Sequence, residues 1–109
     1  MSDATVIANL RKQCDGPRDG ALLRFSLGNA LLAQGDGDAA VTELRRATEF
    51  DPTYSAAWKL LGKACLQAGQ TPAAAEAWRQ GIAAAAARGD KQAEKEMTVF
   101  LRRLERPAS

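Results

Sequence analysis

Cys14, Cys65 and a complete lack of histidine set the narrow chemical repertoire of this sequence. A catalytic thiolate needs a neighbouring base, and a zinc site needs several ligands in close-spaced sets such as Cys-x-x-Cys. Neither pattern is present, so the residues point to no enzyme, no metal and no cofactor. Cys65 falls on an apolar helical stripe and reads as a small buried hydrophobe. Asp36 and Asp38 in "QGDGDAA" have the opening spacing of a calcium loop, but the later oxygen ligands and the closing Glu are missing. Capping and turn roles suit them better. Glu94 and Glu96 stand among lysines on an amphipathic stretch and read as solvated, ion-paired surface. No Gly-rich loop leads into Lys-Ser or Lys-Thr, so no phosphate cradle is present.

Around these residues the chain offers one soluble-type domain. Its 109 residues, 46% hydrophobic and 26% charged, are ordinary for a globular protein. The net charge of +2 gives no strong field for nucleic acid or membrane. It is unevenly spread, with −2 over residues 21–54 and +3 over 55–88. The basic residues are interspersed with acids and lack interleaved aromatics, which argues against nucleic acid. The amino terminus lacks the apolar run of a secretory signal, and no stretch reaches the roughly 20 apolar residues of a membrane span. A reduced, cytoplasmic setting is the expectation.

Sliding the sequence by 34 residues superimposes Leu27-Gly28 on Leu61-Gly62, Gly35 on Gly69, and Ala39-Ala40 on Ala73-Ala74. A fixed period of this size signals a repeat architecture. Within each unit the signals read helix, turn, helix. Leu23, Leu27 and Leu31 make one stripe that stops before Gly35, a residue suited to the left-handed closing position. Ala40, Leu44 and Ala47 make the next stripe, which Pro52 stops. Trp58, Leu61 and Cys65 repeat the first stripe, and Thr71-Pro72 reads as an N-cap followed by proline at the first helical position. Ala74, Trp78 and Ile82 continue inward, so both tryptophans should be buried. Gly28 is expected to face Ala40, and Gly62 to face Ala74, with small residues allowing a close helix approach. Residues 3–14 carry Val6, Ile7 and Leu10 on an amphipathic helix. Residues 90–106 carry Ala93, Met97, Phe100, Leu101 and Leu104 on a capping helix, which also reads as a degenerate first helix of a third unit.

The arrangement resembles the tetratricopeptide repeat family, whose signature runs Trp, Leu-Gly, loop Gly, small residue, large apolar residue, Pro. Here Trp58, Leu61-Gly62, Gly69, Ala74 and Trp78 carry it in one unit, and Leu27-Gly28, Gly35, Ala40, Leu44 and Pro52 in the other. The departures are Arg24 in place of a large residue, Gly81 in place of alanine, and Ala86 in place of the closing proline. The lost proline suggests that the last repeat helix runs on through Ala87. The resemblance implies an all-α fold, a right-handed superhelical stack of antiparallel helix pairs with about six helices. The expected layout is one domain over 1–109, with repeats at 21–54 and 55–88.

By the same resemblance, the first helices of successive units line a concave groove that takes a peptide or partner segment. The groove-facing residues would be Leu22, Phe25, Asn29, Leu32 and Ala33 in the first unit. Ala56, Lys59, Lys63, Leu66 and Gln67 would follow in the second. Lys59 and Lys63, four apart, stack two like charges and would welcome an acidic ligand. Family members that grip a terminal carboxylate use a Lys/Asn clamp, and Phe25 and Leu60 stand where it requires Lys and Asn. The expectation is a protein-interaction module, monomeric or weakly homodimeric, with no nucleic acid and no membrane. Self-association through exposed faces of the stack is the alternative.

Overall fold

The structure is a computed structural model that describes residues 3–106, so the outermost residues of the expected 1–109 span lie outside the described residues. It contains six helices and, among the described residues, no strand: α1 (Asp3–Gln13), α2 (Ala21–Ala33), α3 (Gly37–Phe50), α4 (Ser55–Gln67), α5 (Thr71–Arg88) and α6 (Lys91–Glu105). Each helix packs against the next in the chain. The molecule measures 44 × 31 × 20 Å. Its thin dimension is two helix diameters, so the helices form two layers.

One closing device is used three times. Gly35, Gly69 and Gly89 adopt φ of 89°, 76° and 73°, a left-handed conformation that costs glycine little. The amide after each glycine then donates back to the last turn: Asp36 to Leu31 O, Gln70 to Cys65 O and Asp90 to Ala85 O, at 2.8–2.9 Å. This is the Schellman arrangement, which satisfies orphan carbonyls while reversing the chain. Asp36 and Asp90 then cap α3 and α6 by accepting from the amides of Ala39 and Ala93 at 3.1 Å. Thr71 does not cap α5. It is the first residue of that helix, and the flanking Gln70 makes no side-chain cap. With no proline at position 86, α5 continues to Arg88, whose guanidinium donates to the Thr53 carbonyl at 3.0 Å.

Leu27, Leu31, Ala40, Leu44, Leu61, Cys65 and Ala74 form one continuous core. The glycines in it do not face alanines. A Cβ on Gly28 would lie 2.5 Å from Leu44 Cγ, and one on Gly62 would collide with the Trp78 indole. Ala40 and Ala74 are fully buried, yet the groups that fill the space over the glycines are the large residues one turn further along each second helix. Gly81 repeats the device for α6: a Cβ there would meet Met97 Sδ and, at 2.7 Å, Trp58 Cβ. Methionine is thin and flexible enough to fill that slot, and Met97 is fully buried. Trp78 is buried as expected, but Trp58 is only half-buried. Its Nε1 reaches the chain's edge to donate to the Pro52 carbonyl at 2.8 Å.

The connection from α1 to α2 is held by a buried charge cluster. Arg24, 9% exposed, donates from Nε and Nη2 to the two Asp19 oxygens at 2.8 and 2.7 Å, and from Nη1 to Glu43 at 2.8 Å. Asp19 also accepts from the backbone amides of Asp15 and Gly20. The guanidinium therefore holds the Asp19 carboxyl well below the usual carboxylate range, and the two acids push the Arg24 pKa up. The bends after α1 are thereby tied to α2 and α3, with Ile7 and Leu10 set against the core. This explains the arginine at a large apolar position: its stem packs while its head is neutralised.

Candidate functional site

The described residues hold no reactive constellation. Burial raises the thiol pKa of both Cys14 and Cys65, so neither is a ready thiolate. No three His, Cys, Asp or Glu side chains among the described residues are placed to hold a metal ion. No helix among them is long and apolar enough to cross a membrane. The candidate site is a stretch of surface.

That surface is built by the first helix of each pair, α2 and α4, and by α6. α4 touches both α2 and α6. On α2, Leu22 is 69% exposed, Asn29 and Ala33 are exposed, and Leu32 is half-buried. Phe25 is half-buried because its ring tilts onto Tyr54, with centroids 5.1 Å apart. On α4, Ala56 is half-buried, while Leu66 is 41% exposed and Gln67 is exposed. The Gln67 amide donates to the Leu32 carbonyl at 3.5 Å, linking the two helices.

The two lysines have different environments. Lys59 Nζ is 3.3 Å from Glu96 Oε2 on α6, so its charge is already met within the chain. Lys63 is exposed and its Nζ stands 5.2 Å from the Phe100 ring centroid. The expectation that both lysines await an anion therefore fails for Lys59, to which α6 brings a carboxylate, while Lys63 has none within ion-pair distance among the described residues.

α6 also completes a cleft of about 340 Å³ lined by Lys63, Leu66, Trp78, Phe100, Arg103 and Leu104. Trp78 and Phe100 make its floor, with ring centroids 5.4 Å apart. The indole N–H points away to the Lys59 carbonyl at 3.1 Å, which leaves the floor apolar. Of the ten residues the sequence suggested, only Lys63 and Leu66 line this cleft; the others lie elsewhere on α2 and α4. The sequence pattern places Phe100 and Leu104 on the apolar side of the terminal helix and Arg103 outside it, and gives none of the three to the groove. One signal could have found Phe100: a further step of 34 from Leu32 and Leu66 lands on it.

This is a stack of helical hairpins with an apolar and cationic cleft between α4, α5 and α6, and its relatives share the architecture. The TPR repeat family matches residues 28–69. A TPR repeat-containing protein of Pseudomonas aeruginosa, PA0015, is 55% identical over 101 residues, covering 93% of this chain and 96% of that protein. The chain belongs to the tetratricopeptide repeat family. The solution structure of protein BPP2914 from Bordetella parapertussis is 46% identical, covers 91% of this chain and 86% of that one, and superimposes with a TM-score of 0.77. A crystal structure of MamA, 22% identical over 94% of this chain and 66% of its own, shares the fold with a TM-score of 0.68. Tetratricopeptide repeats generally mediate protein–protein interaction and are generally non-catalytic scaffolds.

Proposed function

We propose that this protein is a non-catalytic interaction module that binds a peptide segment of a partner protein along the inner faces of α2 and α4. The observation that supports the reading is the exposure of large apolar side chains on those two helices, Leu22 at 69% and Leu66 at 41%, together with the exposed Asn29 and Lys63. Apolar area left in water costs about 25 cal/mol per Å² relative to burial, so a ligand that covers it gains affinity. The groove runs from Leu22, Phe25, Asn29, Leu32 and Ala33 to Ala56, Lys59, Lys63, Leu66 and Gln67. The +3 charge of residues 55–88 favours an acidic ligand, and the module works in the cytoplasm as a monomer or weak homodimer.

A photo-crosslinking amino acid at Asn29 should trap a partner from lysate, whereas one at Thr42, exposed on α3, should not. Partners trapped only from Thr42 would refute the groove. A second reading, self-association, draws on Val6 and Val99, 37% and 38% exposed on the terminal helices. Light scattering after size exclusion separates it from the first, since it requires a dimer mass that persists on dilution.

A further inference from the structure

The cleft at α6 narrows the partner's chemistry. We propose that it receives one large apolar side chain of the partner peptide, leucine or phenylalanine, flanked by carboxylates; this rests on the interaction reading above. Its volume of about 340 Å³ lies at the low end of small-ligand pockets, roughly 300–1,000 Å³. That is room for a side chain or two and not for a packed helix. The floor of Trp78 and Phe100 offers no polar group, because the indole N–H is already spent on the Lys59 carbonyl. An apolar group settles on that floor without losing hydrogen bonds to water, and a polar one does not.

The walls carry the charge. Lys63 stands on the α4 side and Arg103 on the α6 side. Among the described residues neither has a carboxylate within ion-pair distance, in contrast to Lys59 with Glu96 and Arg79 with Glu105. Two unmatched cations on opposite walls complement acidic residues on both sides of the anchor. The Lys63 ammonium over the Phe100 ring is moreover held at the rim, which lowers the entropy lost on meeting an anion. Leu66 opens the cleft onto the α4 face, and Gln67 beside it bonds to α2, so a chain leaving the cleft continues along the groove. That continuity favours a polypeptide over an isolated amphiphile.

The test titrates three nine-residue peptides of one length, each with a central leucine flanked by glutamates, serines or lysines. A fourth arm is decanoate. Binding is read from amide shifts in the protein, its Lys63→Glu and Arg103→Glu variants, and confirmed by circular dichroism to be folded. The glutamate peptide should bind best and shift Lys63, Leu66, Phe100 and Leu104. Each charge reversal should weaken it about 2–5-fold, as one exposed charge pair does, while leaving the serine peptide within 2-fold. The lysine peptide should improve in the variants. Equal binding of all three peptides, or tighter binding by decanoate, overturns the proposal. Shifts at Asn29 and Ala33 without any on α6 overturn the cleft and leave the groove standing. No shifts on α2, α4 or α6 overturn both.

Discussion

The indole of Trp78 lies across Gly62 of the neighbouring helix, and its Nε1–H donates to the Lys59 carbonyl oxygen 3.1 Å away. Only a residue without a side chain lets a ring come so near a helix backbone. The same indole then supports Phe100, so one contact joins the middle of the stack to the proposed cleft.

Gly62→Ala should therefore destabilise the protein although alanine is the better helix former by about 1 kcal/mol. The new methyl meets a buried, hydrogen-bonded ring that cannot swing away, and overpacking of this kind costs about 1–3 kcal/mol. Gly28→Ala meets the side chain of Leu44, which can change rotamer, so its cost should be smaller. Thermal melts of both variants check the order; a Gly62→Ala midpoint at or above that of Gly28→Ala would contradict it.

Met97→Ala empties the slot over Gly81 and should cost about 2–4 kcal/mol. Removing α6 altogether, by ending the chain after residue 89, exposes Trp78 and Ile82, which pack with Met97, Phe100 and their neighbours. A short stack has only nearest-neighbour interfaces to draw on, so the truncated protein should aggregate or lose its cooperative transition. A monomer that melts as sharply as the parent would refute the capping role of α6.

Arg24→Met should destabilise the protein because it leaves the Asp19 and Glu43 carboxylates without their shared guanidinium. The pH dependence follows from Asp19, whose folded carboxyl stays ionised where an unfolded one protonates, near pH 4. Its contribution is complete above about pH 5 and is lost as the pH falls below about 4. Asp19→Asn should accordingly be less stable than the parent at pH 7, with the gap closing toward pH 3. A gap that stays constant in urea melts across that range would contradict the assignment.

The two tryptophans should emit differently. Trp78 is 3% exposed and Trp58 only half-buried, so Trp58→Phe should leave a blue-shifted native spectrum and Trp78→Phe a redder one. Identical maxima would contradict the placement.

Helices, turns and the identity of the core were legible because each rests on local signals. Gly35 and Gly69 mark left-handed closures, and Leu27, Leu31, Leu61 and Cys65 keep one spacing through both units. What lay between helices was less legible. The 34-residue match could align Gly62 with Gly28, yet it could not show which residue of α5 fills the space above, since a turn's shift along the partner helix changes Ala74 to Trp78. Arg24 read as a departure because its partners, Asp19 and Glu43, are brought to it by a bend and by another helix. The site suffered in the same way. Lys59 and Lys63 looked alike on α4 until α6 set Glu96 beside the first and Phe100 beside the second.

Hydrogen–deuterium exchange, measured with and without the glutamate-flanked leucine peptide, tests most directly whether the inner face is the binding surface. Peptic fragments from α2, α4 and α6 should exchange more slowly in its presence, with those of α3 unchanged. Protection confined to α3, or no protection on any helix at saturating peptide, would contradict the account.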